Sequence, residues 1–319
     1  MGRSGVHRCG LRALVLGQHH HLLPIPSACW FYRSAAIEPA ALDVRSLLHR
    51  HQLDPRKGLG QNFLVDQSAL KKIVACADLS PQNHVLEIGA GLGSLTRLLA
   101  AKAGHVTAVE IDQKLVPILR EVMASFNNVN IVEGDILELE PRSLVEQDGY
   151  IVVANIPYYI TSAIIRHLLE HSPQPSRLVL TMQREVAERI CAGPGDLSLL
   201  ALSVQLYGKP VIAASIPASS FYPAPKVDSA TLRVDLYEKP FLSAPQRELF
   251  FKVIKAAFSQ KRKMLRNTLA AGLNLSSEQA VALLEAAGID PARRAQTVDL
   301  VEWRTLVGEM ENNLSRPKK

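Results

Sequence analysis

The chain has 319 residues, 47% of them hydrophobic, which is enough for one large domain plus a small one and for a real buried core. Its net charge of +6 and pI of about 9.2 favour a polyanionic partner wherever the charges cluster. The four cysteines, Cys9, Cys29, Cys76 and Cys191, form no C-x-x-C, so neither a zinc site nor a disulfide framework is indicated. A reducing compartment fits, and no apolar run approaches the length of a membrane span.

Residues 1–42 differ from the rest. Arg3, Arg8, Arg12 and Arg33 precede the first acid, Glu38. This is the composition of an organellar transit segment or of an extension that does not fold. His19, His20 and His21 are consecutive and cannot all face one ion from a regular element, so no metal site is assigned. A short amphipathic helix is predicted over Asp43–Leu53, with Val44, Leu47 and Leu48 on one side. A basic loop follows over residues 54–64, then a helix over Ser68–Ala77, and Pro81 marks the turn into a strand.

That strand, Val85, Leu86 and Ile88, breaks into glycines at alternate positions, Gly89, Gly91 and Gly93, and resumes as a helix through Leu95, Leu98 and Leu99. Strand, glycine turn and helix begin a doubly wound α/β sheet, whose ligands sit at the carboxyl ends of the strands. The spacing is G-x-G-x-G with Glu87 ahead of it, not the G-x-G-x-x-G of a pyrophosphate loop. A nucleoside ligand without a pyrophosphate fits better, and S-adenosylmethionine is the candidate.

His105–Asp112 reads as a buried strand ending in acids. Glu110 falls about twenty residues past Gly89, where such folds grip a ribose diol. A helix over Gln113–Phe126 leads to a strand over Val129–Leu137, with Asp135 at its end as an acceptor for an adenine amino group. The fourth strand, from Gly149, runs into Asn155-Ile156-Pro157-Tyr158. Adenine N6 is a poor nucleophile because its lone pair is conjugated with the ring. An Asn side-chain oxygen and a neighbouring backbone carbonyl can take its two N–H bonds and draw the nitrogen toward a pyramidal shape. Pro157 fixes φ and stiffens the turn, so that the Ile156 carbonyl can be aimed. Tyr158 can stack on the base, a contact worth about 1–3 kcal/mol in single-stranded recognition.

Further on, helices are predicted over Thr161–His171 and Gln183–Cys191 with a strand over Arg177–Met182 between them. Leu197–Leu206 is either a helix or a buried strand. Ser219–Asp228 reads as a proline-rich loop displaying two aromatics, of which Phe221 can close on the other face of a base held by Tyr158. Ser229–Leu236 is a closing strand and Pro240–Pro245 a linker. A single helix is predicted over Gln246–Ala271, carrying Lys261, Arg262, Lys263 and Arg266 with no acid among them, a candidate contact for RNA phosphates. Two more helices, Ser276–Ala287 and Val298–Met310, complete a small helical unit.

With these residues in place, the sequence resembles the bacterial small-subunit ribosomal RNA adenine N6,N6-dimethyltransferases, the kasugamycin-sensitivity dimethylases. The resemblance runs from about Leu53 to Leu306. It rests on Gly60-Gln-Asn-Phe-Leu-Val-Asp66, Glu87-Ile-Gly-Ala-Gly-Leu-Gly93, Val109-Glu-Ile-Asp112, Gly134-Asp135, Asn155-Ile-Pro-Tyr158 and Gln183-Arg-Glu-Val-Ala187. Phe221-Tyr-Pro-Ala-Pro-Lys-Val-Asp228 and Ala257-Phe-Ser-Gln-Lys-Arg-Lys263 complete the set. It implies S-adenosylmethionine contacts at Asn62, Leu64, Gly89, Glu110, Asp135 and Asn155. It also implies that the products are two adjacent dimethyladenosines in the 3′-terminal hairpin loop of small-subunit rRNA, made on a pre-assembled subunit. Ile156 stands where this family often has Leu and the erythromycin-resistance methylases often have Ile.

The expectation is therefore an α/β protein. A Rossmann-like methyltransferase domain spans 43–239, with Gly91 among its cofactor contacts. An all-helical RNA-binding domain spans 240–312 and a tail 313–319. The enzyme would act as a monomer in the cytoplasm, or in a mitochondrion or plastid if residues 1–42 are a transit segment. Three rivals remain: large-subunit rRNA methylation, a non-catalytic RNA-binding relative, and N6-adenine DNA methylation. The last lacks an evident target-recognition domain.

Overall fold

The structure is a computed structural model and describes residues 39–157 and 160–315. The reading of residues 1–42 as a targeting segment or unfolded extension falls outside the described residues over 1–38, as does Tyr158; over 39–42 the chain is ordered, with Leu42 packed beside Val44 and the Ala40 carbonyl accepting from Arg97 at 2.7 Å. Among the described residues no helix is long and apolar enough to cross a membrane.

The centre is a seven-stranded sheet. Its first five strands in the chain are β2 (His84–Ile88), β3 (His105–Glu110), β4 (Val129–Glu133), β5 (Ile151–Asn155) and β6 (Arg177–Gln183). They lie parallel in the order β4-β3-β2-β5-β6. The sheet is finished by β9 (Ser229–Leu236), antiparallel to β6, and by β7 (Gly208–Ile216) at the edge. Strand order reverses between β2 and β5, and the crevice outside their carboxyl ends is where such sheets bind ligands. The apolar runs read as strands because both faces are covered. One face carries α2 (Gln67–Ala77), α3 (Ser94–Ala100) and α4 (Val116–Met123). The other carries α6 (Thr161–Glu170), α7 (Arg184–Ile190) and α8 (Leu199–Gln205). The short α1 (Val44–Arg50) packs through Val44, Leu47 and Leu48 beside Phe63 and Leu92, and α5 (Pro141–Leu144) follows β4.

Besides the short strand Phe63–Leu64 at the end of the expected basic loop, two strands escaped the sequence reading. In β7, Gly208 and Pro210 sit in the segment and Val211 and Ile212 stay exposed, so it shows no apolar alternation. A proline is tolerated there because this is an edge strand. The second is β8 (Phe221–Tyr222), which pairs with β1 (Phe63–Leu64): Phe63 opposite Tyr222 and Leu64 opposite Phe221. The segment Ser219–Asp228 therefore does not display Phe221. Its ring is 3% exposed and sits in the core beside Leu64. The ambiguous stretch after Leu197 is the helix α8.

The long helix expected over Gln246–Ala271 is two helices, α9 (Ala244–Ala257) and α10 (Leu265–Leu273). Ser259 donates its hydroxyl to the Ala256 carbonyl at 2.7 Å, offering the backbone an alternative to continuing. A helical 261–266 would also crowd four cations onto adjacent turns, where like charges repel. Leu265 N–H instead donates to the Arg293 carbonyl at 2.7 Å, which starts α10 against the turn before α12. Lys261, Arg262 and Lys263 are thus exposed in the turn, and half-buried Arg266 stands in the first turn of α10. The two helices cross so closely that a Cβ on Gly272 would lie 2.5 Å from that of Ala256. With α11 (Ser277–Ala286) and α12 (Leu300–Ser315) they bury Phe250, Leu269 and Trp303, in a core that also takes in Leu202 and Leu206 at the end of α8.

Candidate cofactor and reaction site

At the end of β2 the chain turns at Gly91 with φ +60°, a conformation that costs an L-residue about 1–2 kcal/mol. A Cβ there would also press on the Phe63 ring at 3.3 Å. This backbone turns its N–H toward the end of β3, where Glu110 accepts from Gly91 N at 2.6 Å through Oε2 and from Asp112 N at 2.8 Å through Oε1. Both oxygens are thereby fixed in orientation, each with a lone pair left for a ribose hydroxyl. Burial is the main cause of the raised pKa of Glu110, opposed by these backbone bonds.

Glu87, fully buried on β2, lines the same crevice. Its Oε2 has no hydrogen-bond partner. Burial pushes its carboxyl up to about 8, helped by the negative charge of Glu110 and opposed by the Thr96 hydroxyl. An unpartnered, buried carboxyl oxygen beside a ligand crevice suits a positively charged group, and S-adenosylmethionine is a cation. Backbone turn, ribose acceptor and unpaired acid together fit that cofactor.

A strap closes the crevice from above. Asp112, 2% exposed, accepts from Gln61 Nε2 at 2.7 Å and from Arg56 Nη1 at 3.2 Å. Asp66 accepts from the Ser220 hydroxyl at 3.1 Å, and Ser220 O accepts from Val65 N at 2.9 Å. These bonds hold Gly60–Leu64 over Gly89 and Gly91. Asn155 completes the closure: its Nδ2 donates to the Asn62 carbonyl at 3.0 Å. A carbonyl can only accept, so this bond fixes the amide with Oδ1 left over as an acceptor. Behind it Ile156 N donates to Thr181 O at 3.0 Å, tying the Asn-Ile-Pro turn to β6. The crevice is only about 100 Å³, against about 300–1,000 Å³ for sites that bury a whole ligand.

The structure thus brings Asn62, Leu64, Gly89, Gly91, Glu110, Asn155, Ile156 and Pro157 to one crevice. Asp135 stands beyond it, one strand past Glu110, half-buried and accepting from Leu137 N at 2.9 Å. Phe221 does not line it, since it backs the strap from the core. The basic residues 261–263 and Arg266 belong to the helical part and not to this crevice. Contributors missed in the sequence include Arg56, Gln61 and Asp112, which latch the strap, and Asp66 and Ser220, which clamp it. Asp112 had a visible signal as the second acid of Val109-Glu-Ile-Asp112. Gln61 had one only as a member of Gly60-Gln-Asn-Phe-Leu-Val-Asp66, and Ser220 had none, because their partners lie 51 and 154 residues away.

Replacing Asp112 with Ala is expected to weaken S-adenosylmethionine binding by at least about tenfold. It removes hydrogen bonds to a charged group, each worth about 1.5–3 kcal/mol. Calorimetric titration measures the affinity, and limited proteolysis at Arg56–Gln61 checks the loosening. Unchanged affinity together with unchanged cleavage would show that the strap is held without Asp112.

Comparison with known proteins agrees with this geometry. The family model described as ribosomal RNA adenine dimethylase matches residues 53–307. A protein named ribosomal RNA small subunit methyltransferase A from Dehalococcoides mccartyi is 43% identical over 270 residues, covering 84% of this chain and 93% of that protein. Its namesake in Alkaliphilus metalliredigens is 40% identical, covering 83% and 95%. Among solved structures, a dimethyladenosine transferase from Plasmodium falciparum superposes with a TM-score of 0.68 at 27% identity, over 77% of this chain and 96% of that one. The 23S rRNA methyltransferase ErmE gives 0.65 at 30% identity, over 78% and 100%. Matching family model, full-length relatives and cofactor crevice together place the chain in the ribosomal RNA adenine dimethylase family, the S-adenosylmethionine-dependent enzymes that dimethylate adenine in rRNA.

Proposed function

We propose that the protein dimethylates N6 of two adjacent adenosines in the 3′-terminal hairpin loop of small-subunit rRNA, on a pre-assembled subunit, as a cytoplasmic monomer. The free Oδ1 of Asn155 at the switch-point crevice carries the chemical part of this reading. The small-subunit assignment is supported by relatives of that name at 43% identity over nearly their whole length.

The bound cofactor supplies a methyl group made electrophilic by its sulfonium. The chain's own residues prepare the nucleophile. Asn155 Oδ1 accepts one N6–H and the Ile156 carbonyl the other, which localises the nitrogen lone pair toward the methyl. Pro157 holds that carbonyl in place. Glu110, and Asp135 just beyond the crevice, orient the cofactor's nucleoside; Asn62 and Leu64 cover it. Tyr158 stacks on the base, with Phe221 supporting from behind the strap. No strong general base is needed, because the proton leaves after the methyl has transferred. The adenine must be unstacked to reach the crevice, which suits a loop better than a duplex.

In the helical part, residues 240–312, the exposed turn Lys261-Arg262-Lys263 with Arg266 contacts RNA phosphates. Changing Lys261, Arg262 and Lys263 together to Ala is expected to weaken subunit binding and to make it less salt-dependent. The loss in log–log slope is about 0.7–0.9 for each phosphate contact removed. Cofactor affinity should not move. An unaltered salt slope would remove the turn from the RNA interface.

The reading is tested with labelled S-adenosylmethionine and small ribosomal subunits lacking these methylations. Label recovered as dimethyladenosine in the 3′-terminal hairpin supports it. Label on large-subunit RNA moves the protein to the resistance-methylase branch. No label, with cofactor still bound, overturns the reading.

A further inference from the structure

Dimethylation sets the site a problem that one fixed geometry does not solve. An unmethylated N6 has two hydrogens and a monomethylated N6 has one. In each transfer the N6 lone pair forms the new N–C bond, the carbon–sulfur bond breaks with its electrons left on sulfur, and N6 then loses one proton to solvent. Each transfer consumes one S-adenosylmethionine. In the first, both hydrogens are held by acceptors at about 2.9 Å from the nitrogen. In the second, a methyl points at one of those acceptors. A methyl carbon stands about 1.5 Å from nitrogen and approaches an oxygen to about 3.3 Å. One of the two acceptors must therefore stand about 2 Å farther back.

The two oxygens differ in what holds them. The Ile156 carbonyl belongs to backbone fixed on both sides. Ile156 donates its N–H to Thr181 O at 3.0 Å, and its side chain, 2% exposed, is packed in the sheet's core. Pro157 follows with its φ fixed, and the Pro157 carbonyl accepts from Ile160 N at 3.3 Å and from the Thr161 hydroxyl at 3.5 Å. Oδ1 of Asn155 depends instead on two side-chain torsions. Asn155 is half-buried and lines the crevice. Among the described residues its amide makes one hydrogen bond, from Nδ2 to the Asn62 carbonyl at 3.0 Å. That carbonyl lies on the strap and not on the sheet.

We propose that the bond between Asn155 and Asn62 sets how many methyl groups N6 receives. Made, it holds Oδ1 for the first transfer. Broken, it lets the amide turn aside. The methyl of the intermediate then takes the place of Oδ1, and the remaining N–H stays on the Ile156 carbonyl. The inference rests on Asn155 and Ile156 being the N6 acceptors, as read above. It makes the strap a determinant of the product: a tighter strap stops at the monomethyl stage, and a looser one goes on to dimethyl.

The test compares two small-subunit substrates, reconstituted with rRNA that carries adenosine or N6-methyladenosine at one target position. The neighbouring target is dimethylated in both. Asn155→Ala should lose about 10²–10³ in single-turnover rate on the unmethylated target. On the monomethylated target it should stay within about tenfold of wild type, the worth of one neutral hydrogen bond. Binding gives a readout without turnover. In the absence of cofactor, wild-type protein should bind the unmethylated subunit about threefold more tightly than the monomethylated one, and Asn155→Ala should bind the two alike. Equal rate losses on the two targets, or a wild-type binding preference in the variant, would overturn the inference. No rate loss on either target would overturn the underlying reading of Asn155 as an N6 acceptor. If Asn155→Ala disturbs the fold, seen as lost cofactor binding, Ser220→Ala decides. It removes the hydroxyl that clamps the strap through Asp66 at 3.1 Å, and should raise the ratio of second to first transfer about threefold. An unchanged ratio there would overturn the inference.

Discussion

Asn155→Ala is expected to lower kcat for methyl transfer by about 10²–10³, the range seen when one preorganised polar contact to a reacting centre is removed. The Asn155 side chain has two ends with different duties. Its Nδ2 is committed to the Asn62 carbonyl at 3.0 Å, and the Ile156 N–H bond to Thr181 fixes the next residue of the turn. Oδ1 is therefore held in one orientation before substrate arrives, and no reorganisation is needed when N6 approaches. Alanine removes the acceptor and also the strap bond. A neutral hydrogen bond is worth about 0.5–1.5 kcal/mol net, so cofactor affinity should fall by less than about tenfold, far less than kcat. Asn155→Asp should not rescue, since a carboxylate accepts but cannot donate to Asn62 O. Single-turnover transfer to subunits gives the rate, and calorimetry gives the affinity. A variant as fast as wild type would mean that N6 is activated elsewhere.

Much of this site was legible because its parts are local. The glycines of 89–93, the acid ending β3 and the Asn-Ile-Pro turn each sit where a strand meets a loop, and strand periodicity marks that place. What was not legible depends on chain that is far away in sequence. Phe221 reads as a displayed loop aromatic because prolines follow it, yet its pairing with Leu64 turns it inward. The β7 edge strand hides behind Pro210, and pairing with β9 alone makes it a strand. The apolar stripe of 246–271 continues through Leu265 and Leu269, so periodicity alone joins two helices. The break comes from Ser259 and from the Arg293 carbonyl, which a helical pattern does not register. The consequence is functional, because the basic run becomes a projecting turn instead of one face of a helix.

The burial of Glu87 was equally invisible, since an acid at a strand end is usually solvated, and it leads to the other large effect. In the protein without cofactor the carboxyl titrates near 8, against an ordinary value of 4.5. Its folded pKa is raised, so the folded state holds a proton that the unfolded state loses above about pH 4.5. Stability is therefore full below that pH and declines as pH rises toward 8. The cost reaches about 3 kcal/mol by pH 7, at about 1.4 kcal/mol per pH unit. Glu87→Gln carries no such proton. Its stability relative to wild type should improve by about that amount between pH 4 and pH 7, measured by denaturant unfolding of the cofactor-free protein. Cofactor binding should run the other way. The positive charge of S-adenosylmethionine favours the carboxylate, so binding at pH 7 should release close to one proton. Affinity should climb by up to about tenfold per pH unit from pH 6 and level off above 8. Glu87→Gln should bind more weakly at pH 8 and lose this dependence. Calorimetry at pH 7 in two buffers of different ionisation enthalpy counts the proton directly. No proton released, with a flat affinity profile in wild type, would mean that the carboxyl does not meet the cofactor's charge. Its burial would then be a cost to stability with no return in binding.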